Sequence, residues 1–178
     1  MKYLFSLMVI PFLFFSATTQ LSAVQYDHTI ELDRMSFAWK LDGKNIHIQL
    51  KAKTKGWVAV GFNPKKAMQG ANFIIGYVKR RKVKIQDEYG IRLNDHIRDV
   101  LNQGENNISN VTGKESRGVT TISFTIPLNS GDESDTKIDP NSMNKVLLAF
   151  GPAKDDFHTK HVFRTALNVN LKTGAYNQ

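Results

Sequence analysis

The sequence predicts an all-β fold, an antiparallel β-sandwich, and three observations carry that prediction. Segment after segment alternates apolar and polar residues at period two, with β-branched and aromatic residues in excess. Clusters of Gly, Asn and Asp bound those segments. Nothing after Ala23 carries the 3.6-residue periodicity of a long amphipathic helix.

In chain order, residues 35–41 put Met35, Phe37, Trp39 and Leu41 on one face. The turn Asp42-Gly43-Lys44-Asn45 leads into Ile46, Ile48 and Leu50, which alternate with His47, Gln49 and Lys51. Residues 56–62 carry Trp57, Val58 and Val60 and stop at Asn63-Pro64. Residues 71–78 and 82–89 flank a basic turn, Lys79-Arg80-Arg81. Ile122, Phe124 and Ile126 define a strand over 119–128, and residues 145–150 and 166–171 complete the set. Strands that each bury one face need a second sheet, hence the sandwich. The polar stretches 96–118 and 129–142 read as long loops at its ends, where ligand sites are commonly built.

The first residues are read apart from the fold. Lys2, an apolar run over 4–15 and a polar stretch ending at Ala23 form the three-part pattern of a secretory signal peptide. The run is shorter than the ~20 residues that a spanning helix needs. Residues 1–23 are therefore expected to be removed, leaving 24–178 as one exported domain. Its size lets a core form without disulfides, and the chain has no Cys. That absence excludes thiolate metal sites, iron–sulfur clusters, covalent haem attachment and cysteine nucleophiles. Met, His, Asp and Glu remain for redox or metal chemistry. The net charge of +8, which loss of Lys2 with the signal peptide lowers by one to +7, favours anionic lipid, acidic proteins or acidic ligands over nucleic acid in an exported chain. There is no phosphate-binding Gly loop, zinc-protease helix or serine elbow.

Three segments could carry chemistry. Met68 lies in a short loop between two strands, where a lone Met ordinarily plugs a core. His158 and His161 share a loop after Gly151-Pro152, where two His are ordinarily just solvated. Asp87-Glu88 leads on to Asp95-His96, read by default as solvated loop. Adjacent carboxylates on extended chain point to opposite faces, a poor arrangement for acid/base work across one bond. The basic turn at Lys79–Lys82 reads as a charged hairpin tip that discourages edge pairing.

The run Gly56-Trp57-Val58-Ala59-Val60-Gly61-Phe62, then Met68, then Ala71-Asn72-Phe73-Ile74-Ile75-Gly76-Tyr77 resembles the DOMON domain, the dopamine β-monooxygenase N-terminal type of immunoglobulin-like sandwich. A second signature follows in Leu147-Leu148-Ala149-Phe150-Gly151, Asp155-Asp156, His161 and Arg164, and Asp87-Glu88-Tyr89-Gly90 with the His96 loop resembles bacterial single-domain members. Thr165 stands where a Gly usually follows the Arg, and Phe163 is bulkier than usual. The family contains haem-binding and sugar-binding branches. Likeness to the haem branch implies a ligand site at one end of the sandwich, formed by loops and holding one non-covalent haem b. Met68 and His161 would be the axial ligands. His158 also lies within reach, but the family places its His three residues before the Arg, which selects His161.

On this reading Trp57, Phe73, Ile75, Tyr77 and Phe150 wall the porphyrin, and Arg164, Lys65 or Lys66 pairs with its propionates. Two protein ligands leave no iron site for oxygen, so the expectation is an electron carrier rather than an enzyme. It would work in the periplasm with separate redox proteins, acidic or membrane-bound. The alternative is a non-redox binding module, with Trp57 and Tyr77 stacking on a sugar and Asn63, Asn72 and Asp95 supplying hydrogen bonds.

Overall fold

Period-two patterning puts alternate side chains on opposite faces of each strand, and the computed structural model shows where those faces go. It describes residues 24–178; the expected signal peptide, 1–23, lies outside the described residues. Twelve strands form: β1 (His28–Glu31), β2 (Met35–Asp42), β3 (Asn45–Ala52), β4 (Val58–Phe62), β5 (Asn72–Lys79) and β6 (Lys82–Arg92). They continue with β7 (Asp95–Arg98), β8 (Ser109–Ser116), β9 (Val119–Pro127), β10 (Met143–Phe150), β11 (Phe163–Asn170) and β12 (Tyr176–Asn177). One sheet runs β1-β2-β3-β9-β8 and the other β12-β11-β10-β4-β5-β6-β7. Every neighbouring pair is antiparallel. The expected sandwich is the observed fold.

The core lies between the sheets. Phe37, Trp39, Ile48 and Phe124 from the five-stranded sheet meet Val60, Phe62, Ile74 and Leu148 from the seven-stranded one. Trp39 is fully buried and its Nε1–H donates to the carbonyl of Leu171 at 2.7 Å, so the indole enters the core with its polar atom satisfied. The turn between β2 and β3 centres on Gly43 at φ +58, a conformation glycine adopts without penalty. The basic turn puts Arg80 and Arg81 at φ 50 and 64, as a two-residue hairpin turn matching the strand twist requires.

Residues 96–118, expected as loop, contain the end of β7, a short 3-10 turn (Asp99–Leu101) and β8. β8 escapes a pattern search because it is an edge strand with mostly exposed residues on both faces, so its sequence need not alternate. Residues 129–142 are irregular, as expected.

Candidate functional site

β4 is buried on both faces. Val58, Val60 and Phe62 point into the inter-sheet core, which turns Trp57, Ala59 and Gly61 outward. Register then assembles an outer surface: Ala59 lies between Ala149 and Ile75, and Gly61 lies between Leu147 and Phe73. The outside of a sandwich is ordinarily polar, yet here Trp57, Ala59 and Ile75 form a second apolar cluster, with Tyr77, Ala149 and Phe157 packed against it. Trp57 is 6% exposed and Ile75 3%. The floor is built of small residues with aromatic rings laid across it. A Cβ on Gly61 would come within 2.4 Å of the Phe73 ring, and one on Gly151 within 2.2 Å of the Trp57 indole nitrogen.

Two loops reach this surface from opposite ends of β4. The first follows Phe62 and carries Met68, half-buried, in a tight turn closed between Lys66 and Gln69. Met68 is stapled to the β6–β7 hairpin: its N–H donates to Leu93 O at 3.2 Å, and Gly70 N–H donates to Gly90 O at 2.7 Å. The Met68 carbonyl lies 1.8 Å from where a Cβ on Gly90 would be, so only glycine admits the loop there. The second loop follows Phe150. Its Thr159 carbonyl accepts from Trp57 Nε1 at 3.0 Å, and Phe157 packs on Tyr77 with ring centroids 4.7 Å apart. His161 ends this loop, just before Val162 rejoins the ladder through Phe150 O. Thr54 anchors the far end: its hydroxyl donates to Gly151 O at 2.7 Å and accepts from Gly56 N–H at 3.0 Å.

Charge around the surface is uneven. Partial burial, then the nearby Arg164 and Lys160, pushes the His161 pKa below its ordinary value, which favours the neutral imidazole with a lone pair to donate. At the other end, His96 Nδ1 donates to the buried carboxylate of Glu88 and the ring packs on Phe73 at 5.6 Å. That pairing, opposed by burial, raises the His96 pKa.

The structure thus gathers Trp57, Phe73, Ile75 and Tyr77 on one surface, with Arg164 opposite Ala149 on the same side. Phe150 is a correction. It pairs with Val58 and shares its inward face, where it stacks on Phe163 at 5.2 Å beneath the Arg34 guanidinium. Its neighbour Ala149 takes the outward position, because strand parity alternates. His158 is exposed, and its N–H donates to Asp156 at 2.9 Å. Asp87 and Glu88 do not form a solvated loop: both are 4% exposed, within β6. Sequence reasoning missed the outward Glu88–His96 pair and Phe157. The parity of β6, in which Glu88 and Gly90 share a face, was the available signal for the pair.

Comparison with known proteins places these features in context. Residues 31–151 match the profile of the DOMON domain. A 71-residue stretch is 32% identical to MOXD1 homolog 2 of Drosophila melanogaster, covering 39% of this chain but 9% of that longer one. The fold is similar to the cytochrome b domain of pyranose dehydrogenase from Coprinopsis cinerea, with TM-score 0.54, 9% identity and coverage of 76% of this chain and 77% of that one. It is equally similar to the cytochrome domain of Myriococcum thermophilum cellobiose dehydrogenase, at TM-score 0.55, 12% identity and coverage of 83% and 84%.

Proposed function

Because the chain belongs to the DOMON domain family, we propose that it holds one non-covalent haem b, on the outer face of the seven-stranded sheet rather than at the end of the sandwich that the sequence leads us to expect, and serves as an electron-transfer module. The observation that carries this reading is the outward apolar cluster of Trp57, Ala59 and Ile75, approached from either end by a loop bearing a haem-ligand residue type. A solvated sheet face has no need of such a cluster.

Each residue then has a physical role. Ala59, Gly61 and Ala149 keep the floor low, while Trp57, Phe73, Ile75 and Tyr77 supply apolar contact and exclude water. Met68 offers a thioether and His161 an imidazole whose neutral form is favoured by its surroundings. Arg164, Lys65 and Lys66 are exposed cations suited to propionate carboxylates. Haem held by Met68 and His161 would supply one-electron transfer rather than substrate chemistry. Phe157 covers Tyr77, so admission of a flat ligand requires residues 152–160 to move outward. We further propose that the chain is exported to the periplasm after loss of residues 1–23 and exchanges electrons with separate redox proteins, acidic or membrane-bound. In that role it is a carrier and not an enzyme.

The test is a visible spectrum of the purified protein, expressed with haem supplied, before and after dithionite. Sharp low-spin bands that shift on reduction are expected, with acid acetone extracting the pigment. Met68→Leu and His161→Ala should each abolish the low-spin spectrum, and His158→Ala should leave it unchanged. A colourless protein that takes up no added haemin overturns the proposal and leaves sugar stacking on Trp57 and Tyr77 as the reading to pursue.

A further inference from the structure

A second site lies on the opposite face of β6 and is independent of haem. Val83 and Ile85 point into the core, and Asp87 is the next residue on that inward face. Asp87 pairs with Ile74 on β5; Asn72, two residues before Ile74 and so diagonal to Asp87 on the same face, is 4% exposed, as is Asp87 itself. Two loops close over them. Asp99, fully buried, opens the 3-10 turn after β7, and Asp135 comes from the irregular segment 129–142.

One carboxylate oxygen from each of Asp87, Asp99 and Asp135 lies within 4.8 Å of the other two. An ion at a calcium–oxygen distance of 2.3–2.6 Å keeps any two ligands within about 5 Å, so a single cation can touch all three. The second observation is independent of the acidic cluster. Asp87 Oδ1, both Asp99 carboxylate oxygens, Asn72 Oδ1 and Asn107 Oδ1 are buried without a hydrogen-bond partner among the described residues. All five are acceptors, and hydrogen bonds tie both Asn residues to the acidic cluster. Asn72 Nδ2 donates to Asp135, and the Asn107 N–H donates to Asp87 Oδ2 at 2.9 Å, which leaves the amide oxygens of both Asn side chains unspent.

Buried acceptors without donors are rare in native proteins and each is destabilising. No lysine or arginine offsets the charge: both ion pairs among the described residues involve histidine. Burial, with repulsion from neighbouring carboxylates, pushes the Asp87 pKa to about 7 and that of Asp99 to about 8. A hard divalent cation answers the whole inventory at once, because it supplies positive charge and accepts oxygen lone pairs in number.

We propose that Asp87, Asp99 and Asp135, together with the side-chain oxygens of Asn72 and Asn107, bind a calcium ion. Zinc prefers nitrogen and sulfur, of which this cluster has none. Magnesium keeps several waters, for which a set of five protein residues around buried oxygens leaves little room. The ion reaches its ligands through a surface cleft lined by Asn102, Glu105, Asp132 and Ser134, which shares Asn107 with the site. It ties the 3-10 turn and the 129–136 segment to the sheet. Because Thr136 donates to Gly70 O at 2.7 Å, it also braces the loop carrying Met68.

The test uses the whole purified protein, stripped with EDTA and titrated with calcium chloride or magnesium chloride by calorimetry, with thermal unfolding in parallel. The expected result is one calcium per chain and a melting temperature higher by about 5–10 °C at 100-fold excess over Kd. Asp99→Asn should lose the calcium response yet melt in EDTA at or above the wild-type temperature, because its amide brings a fixed donor to a cluster of unpaired acceptors. A merely structural Asp99 would give a lower temperature in EDTA. If that variant does not fold, Asp135→Asn, on the half-buried loop, carries the same expectation. No binding heat and equal melting temperatures in calcium and EDTA overturn the proposal, as does an undiminished calcium response in the variants. Magnesium binding tighter than calcium overturns the choice of ion.

Discussion

The ring of Phe73 lies across Gly61, close enough that a Cβ on the glycine would meet Phe73 Cε1 at 2.4 Å. The two are direct cross-strand partners on β5 and β4. Gly61→Ala therefore forces the ring off the floor, and overpacking of this kind costs about 1–3 kcal/mol. Urea denaturation should show the loss. Combining it with Phe73→Leu should cost less than the sum of the two single changes, since the pair is in contact. Strict additivity would mean that the ring does not depend on the glycine.

Trp57 holds the loop of residues 152–160 by one hydrogen bond, Nε1–H to Thr159 O at 3.0 Å. Trp57→Phe keeps the apolar bulk and removes the donor, a change of about 0.5–1.5 kcal/mol. The expected signature is local: faster protease cleavage within 152–160, with the rest of the chain protected as before. Unchanged cleavage would show that the indole does not restrain the loop.

Thr54 satisfies two backbone groups at once, Gly151 O and Gly56 N–H. Thr54→Val preserves shape and leaves both buried and unpaired, which predicts a loss of about 1–3 kcal/mol in equilibrium unfolding. Thr54→Ser, which keeps the hydroxyl, should recover most of it. A valine variant as stable as wild type would refute the bridging role.

Hydrogen bonding to Glu88 holds His96 above its ordinary pKa of 6.5, against the opposing effect of burial. A histidine raised on folding adds stability that is complete below about 6.5 and fades as pH climbs through the raised value. His96→Gln should flatten that alkaline decline in unfolding free energy measured across a pH series. An identical slope in the variant would assign the pH dependence elsewhere.

Much of this was legible from the residues because the relevant strands alternate cleanly or carry glycine. The Gly-Trp segment marked β4, and Phe73, Ile75 and Tyr77 follow one another at period two, so their common face could be read directly. Phe150 could not be oriented in the same way. Val146, Leu147, Leu148, Ala149 and Phe150 are apolar without a break, and only the register with β4 decides which of them point outward. Asp87 was obscured by Glu88 beside it, since two acids in a row look solvated. The alternation Val83, Ile85, Asp87 holds the contrary message, that an acid occupies a core-facing position. Asp99, Asn107 and Asp135 come from loops, and no local pattern announces that they will meet.

Asp87 and Glu88 are consecutive, yet one faces the buried oxygen cluster and the other faces His96 on the far side of the sheet. The polypeptide between them is all that separates the two sites. β6 is therefore intolerant of frame changes: deleting or inserting one residue between the Arg80-Arg81 turn and Asp87 would exchange the two carboxylates and dismantle both sites together. Length variation among relatives should accordingly be confined to the outer loops, with the spacing from this turn to Glu88 held constant.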